Sequence, residues 1–165
     1  MLGGDTVLYT SHSMISETLK FDFSQEAMVN YATLDADKAI AQFAKFISGI
    51  WQIHPFGEGN TRATAVFAMK YLQSFGITVK NDMFKEHSWY FRNALVRANY
   101  NNYPKKISAT DEYLVLFFRN LILGEENDLK NRYLLVAKPQ GDSLEEPYGY
   151  QEAIYKEQYN SDESI

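Results

Sequence analysis

Cysteine is absent from the 165-residue chain, which excludes disulfides and thiolate-held metals and fits a reducing cytoplasm, with a secreted effector as the alternative location. Basic residues are outnumbered 16 to 21 for a net charge of −5. No basic stripe is therefore available to neutralise phosphates, and nucleic acid is not an expected partner. No apolar run is long enough to cross a bilayer, so no membrane is expected either. The first residues lack the charged-then-apolar pattern of a signal peptide. There are only 4 prolines, and two of them, Pro55 and Pro104, fall where helical patterns break.

Aromatics are plentiful, with 12 Tyr and 11 Phe. The length suits one domain with a real core. Thr6-Val7-Leu8-Tyr9 is short, β-branched and aromatic, and is the best strand candidate. The remainder reads mainly helical. Ala36, Ile40, Phe43, Ile47 and Trp51 recur at steps of three and four residues, which predicts an amphipathic helix capped by Asp35. Ala65, Val66, Met69 and Leu72 predict a second helix, stopped at Gly76. A third should run from Ser88 to about Asn101, and a fourth from a Thr110 cap to Gly124. A short fifth should cover 127–136. Residues 137–165 are acidic and lack a long periodic face, so they are expected to be a mobile tail beyond a domain spanning 1–136.

Between the first two stripes lies His54-Pro55-Phe56-Gly57-Glu58-Gly59-Asn60-Thr61-Arg62. Proline and two glycines make it a loop leading into a helix that Asn60 or Thr61 can cap. A helix start presents unpaired N–H groups and a positive dipole end. Gly57 and Gly59 let a ligand approach the backbone, so the region is an expected phosphate cradle. Arg62 can offer its planar fork to phosphate oxygens, and Asn60 an amide. Glu58 can supply the one hard oxygen with which magnesium is commonly held beside phosphates and waters. His54 titrates near neutrality and can accept a proton from an attacking hydroxyl. Phe56 is expected to anchor the loop in the core. Each residue alone has an ordinary structural role, but their conjunction in one window points to chemistry.

This window resembles the signature of the Fic family, His-x-Phe-x-(Asp/Glu)-Gly-Asn-x-Arg-x-x-Arg. His54, Phe56, Glu58, Gly59, Asn60 and Arg62 match it. The flanking helical patterns, including HSWYFRNALVRANY, and the stretch GDTVLYTSHSMI are also of family type, extending the resemblance from residue 3 to about 136. It implies an all-α core with a short β-hairpin flap near the N-terminus. It also implies a protein adenylyltransferase that moves AMP from ATP to a Tyr, Ser or Thr hydroxyl of a target protein. His54 would be the base and Glu58 the Mg²⁺ ligand. Gly57, Gly59, Asn60, Thr61 and Arg62 would hold the phosphates, and Asn99 would face the nucleotide. Thr6, Val7, Leu8 and Tyr9 would dock the target by strand pairing.

Three departures from the pattern keep alternatives open. Position 65 is Ala where the family has its second arginine, which meets the terminal phosphates and pairs with the glutamate of an inhibitory helix. Ser13–Glu17 and Ser108–Glu112 fit that inhibitory pattern only in its bare form; a separate antitoxin is the other implied source of inhibition. Position 61 is Thr rather than Gly or the Lys of the Doc branch. The upstream helix and first flap strand have no counterpart, so the expectation is either a fragment of a longer protein or an incomplete flap. The alternatives are a helical interaction module with a decayed nucleotide pocket, or a transferase using another nucleotide or passing on phosphate.

Overall fold

The computed structural model describes residues 7–134. Six α-helices follow one another: α1 (Ile15–Glu26), α2 (Ala36–Ile53), α3 (Asn60–Ser74), α4 (Asp82–Glu86), α5 (Ser88–Asn99) and α6 (Glu112–Leu123). Single 3₁₀ turns lie at His12–Met14, Tyr31–Thr33 and Asn131–Leu134. The all-α expectation is met among these residues.

Helix α2 is the axis of the bundle, touching α1, α3, α5 and α6. Its stripe Ile40, Phe43, Ile47 and Trp51 is buried as its periodicity predicts, while Ala36, in the first turn, is exposed. Full burial of a side chain such as Ile47 contributes about 1.5–3 kcal/mol. The Asp35 side chain accepts from the Lys38 N–H at 2.8 Å, so the expected cap forms. Aromatic contacts knit α2 to α6 and α6 to α5: Phe43 meets Phe118 at 4.7 Å between ring centroids, and Phe91 meets Phe117 at 5.0 Å.

Helix α1 has no apolar stripe of the usual kind, and its only buried residue is Glu26. That carboxylate accepts from Tyr31 Oη at 2.5 Å, Tyr71 Oη at 2.9 Å and Gln42 Nε2 at 3.0 Å. Three donors from three segments thus replace the water it loses. Burial first, then the bond to Glu26, pushes both phenols above their usual range.

The structure corrects several expectations. Residues 7–10 form no strand, and Thr6 and the tail 137–165 lie outside the described residues. A strand needs a ladder partner, and the segment is held differently. Val7 is buried in the core, and the Leu8 carbonyl accepts from the Gln52 side chain at 3.1 Å. The expected fifth helix is, within the described residues, the 3₁₀ turn Asn131–Leu134. Helix α6 starts at Glu112 with Asp111 as its cap residue, not Thr110. In α3 the buried face is Thr64, Ala68 and Leu72; Val66 points to solvent. Gly76, with φ 79°, ends that helix as expected, the Ile77 N–H returning to the Leu72 carbonyl at 3.1 Å.

Candidate functional site

The loop between α2 and α3 is set by two residues with positive φ. His54 ends α2 in the left-handed region, at φ 55° and ψ 55°, its N–H bonded to the Trp51 carbonyl at 3.1 Å. Gly59 begins α3 at φ 73°. A non-glycine residue in that region is held there by its surroundings, and for His54 those surroundings are aromatic. The Tyr9 ring lies against the imidazole with centroids 4.0 Å apart, and Trp51 meets it edge-on at 6.1 Å. His54 Nδ1 is buried without a hydrogen-bond partner. Protonation would make both ring nitrogens donors, and the one at Nδ1 would find no acceptor. Burial accordingly holds the imidazole below its ordinary pKa of 6.5, favouring the neutral form.

Asn60 is the first residue of α3 and is almost wholly buried, at 4 % exposure. Its side chain makes a two-way clamp on Phe56: Oδ1 accepts from the Phe56 N–H at 3.0 Å and Nδ2 donates to the Phe56 carbonyl at 2.7 Å. The expected phosphate-orienting amide is thus turned to the loop's own backbone. Nor does Asn60 or Thr61 cap α3. The cap residue is Gly59, and no side chain bonds the helix start. The first N–H groups, which have no partner inside a helix, thus take none from a capping side chain.

Thr61 Oγ1 accepts from the Trp51 indole at 3.1 Å, which fixes its position and leaves its own proton to donate. Glu58, Gly57 and Arg62 are exposed. A Cβ at Gly57 would meet nothing within 4 Å, so that position is open space; at Gly59 it would approach the Arg62 guanidinium at 3.6 Å. Phe56 does not anchor the loop: it is 55 % exposed. Its backbone, not its ring, is what Asn60 holds. Ala65 packs against the core.

Asn99 lies away from the loop. Its Nδ2 donates to Ser48 Oγ at 2.8 Å and to the Leu95 carbonyl at 2.9 Å, fastening α5 to the C-terminal half of α2. Glu17 and Glu112 are both exposed, and among the described residues neither is ion-paired. A shallow groove of about 330 Å³, lined by Leu34, Lys38, Gln42, Lys45 and Asp111 among others, lies along the first half of α2, far from His54.

The structure therefore brings His54, Thr61 and the uncapped start of α3 together, with Glu58 and Arg62 at the rim. It adds Tyr9 and Trp51 as the packing that shapes the imidazole's environment. Trp51 was legible as part of a stripe. Tyr9 carried only a strand reading, because its contact spans more than forty residues of chain. No group of three His, Asp or Glu residues among those described could hold a metal by itself. A single rim carboxylate, Glu58, suits magnesium that is held mostly by phosphate and water. Among the described residues no helix is long and apolar enough to cross a membrane.

Residues 5–72 match the model described as the Fic/DOC family. The resemblance to the Fic family is borne out over that segment, which ends near the close of α3, short of the stretch to 136 read from the sequence. No curated protein and no solved structure matches the chain.

Proposed function

We propose, with the Fic/DOC match of residues 5–72 as premise, that this chain is a nucleotidyltransferase that moves AMP from ATP to a hydroxyl of a target protein. The observation that carries this reading is the loop itself. It holds an imidazole with a buried, unpartnered Nδ1 at the end of one helix and the uncapped N-terminus of the next helix a few residues on.

In the proposed step the target's Tyr, Ser or Thr oxygen attacks the α-phosphorus. A new P–O bond forms, the bond to the pyrophosphate oxygen breaks, and the hydroxyl proton passes to His54. A neutral imidazole is the form that can take it. The N–H groups at the start of α3, the Thr61 hydroxyl and Arg62 are placed to meet phosphate oxygens, and preorganised donors of this kind stabilise the charge that develops there. Glu58 would hold Mg²⁺, which when bound neutralises phosphate charge. The residues Leu8 and Tyr9, exposed beside the imidazole, are the surface where a target would dock, by contacts other than a preformed hairpin.

Two structural facts favour a second reading, a helical interaction module with a lapsed pocket: Asn60 spends its amide on Phe56, and Ala65 supplies no charge. A change of donor nucleotide, or phosphate transfer as in the Doc branch, is the third.

Mass spectrometry separates them. The protein is incubated with Mg²⁺, a cell lysate and each of ATP, GTP, UTP and CTP in turn. The proposal expects a nucleoside monophosphate added to protein, lost in His54→Ala and strongly reduced in Glu58→Ala. Gain of phosphate alone supports the third reading, and no modification with no nucleotide binding supports the second.

A further inference from the structure

Trp51 stands in the last turn of α2, three residues before His54, and is buried at 3 % exposure. It meets two parts of the site at once. Its ring lies edge-on to the His54 imidazole at 6.1 Å and to the Tyr9 ring at 5.7 Å between centroids. Its indole N–H donates to Thr61 Oγ1 at 3.1 Å. One side chain thus touches the proposed base and, across the loop, a residue in the first turn of α3.

Proton counting assigns the roles in that bond. An indole nitrogen can only donate, whereas a hydroxyl has one proton and two lone pairs. Thr61 must therefore accept from Trp51, and its own proton has to go elsewhere. Among the described residues Thr61 Oγ1 has no second hydrogen-bond partner. Thr61 is only partly buried, and it adjoins backbone N–H groups that no side chain caps. A group that completes this hydroxyl must bring an acceptor, as a phosphate oxygen does.

The same bond satisfies a buried indole, which needs an acceptor wherever it lies. A bond made for that purpose alone would leave nucleotide affinity untouched, so the two roles are separable by measurement.

We propose that Trp51 is a positioning residue for phosphate binding: its N–H fixes the Thr61 hydroxyl so that the proton is offered to the phosphates of the donor, while its ring packs beside the base. The inference rests on the nucleotide reading above and adds to it a residue outside the motif. It also gives a use to threonine at position 61. The β-branched side chain has few rotamers, and a donor already held in place needs no reorganisation as charge develops.

The test is a double-mutant cycle read by calorimetry, titrating ATP with Mg²⁺ into the full chain. Five proteins are compared: wild type, Trp51→Phe, Thr61→Val, the Trp51→Phe/Thr61→Val pair and Thr61→Ser. Thr61→Val keeps the shape and loses the hydroxyl, and should bind ATP about tenfold more weakly. Trp51→Phe keeps a ring and loses the N–H, and should cost about threefold in the presence of Thr61. It should cost nothing further in the Thr61→Val protein, because there is then no hydroxyl to direct. Thr61→Ser should stay close to wild type. Should Trp51→Phe not fold, replacement of Trp51 by 3-benzothienylalanine, which has the indole's shape and no N–H, takes its place in the cycle. An unchanged affinity in Thr61→Val or in Trp51→Phe overturns this inference and leaves the transferase reading standing. So does a loss from Trp51→Phe that is as large in the Thr61→Val protein, which marks ring packing. A loss in Thr61→Ser equal to that in Thr61→Val overturns it as well, since the hydroxyl is then not what binds. A wild-type protein that binds no nucleotide overturns both readings.

Discussion

The Tyr9 ring lies on the His54 imidazole with centroids 4.0 Å apart and planes inclined by 33°. Val7, buried in the core, and the Leu8 carbonyl, held by Gln52, fix the segment that delivers it. The contact is long-range, and His54 Nδ1 is buried without a hydrogen-bond partner.

If that ring is the cause of the desolvation, removing it should free the imidazole. Tyr9→Ala should raise the pKa of His54 back toward 6.5, while Tyr9→Phe, which keeps the ring, should leave it depressed. Proton NMR of the imidazole Cε1–H across a pH series reads this directly. An unaltered titration in Tyr9→Ala would assign the desolvation to Trp51 or the loop instead.

The lowered pKa also sets two pH dependences. As a base, His54 works neutral, so the acid limb of any transfer activity should lie below pH 6.5. In the unfolded chain the same imidazole takes its proton near 6.5. Between the folded pKa and that value the unfolded state binds more protons, so stability should decline as pH falls through this window. Urea unfolding above and below pH 6.5 should show the decline in wild type and a shallower one in His54→Gln. An equal slope in the two proteins would show that His54 is not the group responsible.

The clamp between Asn60 and Phe56 should matter to stability as well as to shape. Asn60→Ala leaves a buried volume unfilled and takes the partners from the Phe56 N–H and carbonyl. Orphaned groups of this kind cost about 1–3 kcal/mol each when they stay dry, and the loop is open enough for water to recover part of that. A loss of about 1–3 kcal/mol in urea unfolding is expected. Asn60→Asp should also be weakened, because it sets an oxygen against the Phe56 carbonyl. A neutral outcome for Asn60→Ala would mean that the loop holds its form without the clamp.

Much of this fold was legible because α2, α5 and α6 bury apolar stripes and are framed by Asp35, Pro104 and Gly124. Helix α1 was not legible as an element, because the residue it buries is a carboxylate, Glu26, whose partners Tyr31, Gln42 and Tyr71 are scattered along the chain. The loop's position and its chemistry-bearing types could be read from residues 54–62. Its hydrogen bonds could not. Asn60 and Asn99 look alike as exposed amides in sequence, yet one closes the loop on Phe56 and the other bolts α5 to Ser48. Strand propensity at Val7–Tyr9 was overruled by tertiary contacts, Val7 packing in the core and the Leu8 carbonyl accepting from the Gln52 side chain.

The central claim, that the α2–α3 loop presents a nucleotide's α-phosphorus to a hydroxyl beside His54, is tested most directly by label transfer. Two parallel reactions with Mg²⁺ and a cell lysate carry ATP labelled at the α- or the γ-phosphorus. The account predicts protein-bound label from the α-position only, and none with His54→Ala. Label from the γ-position alone, or α-label that persists undiminished in His54→Ala, would contradict it.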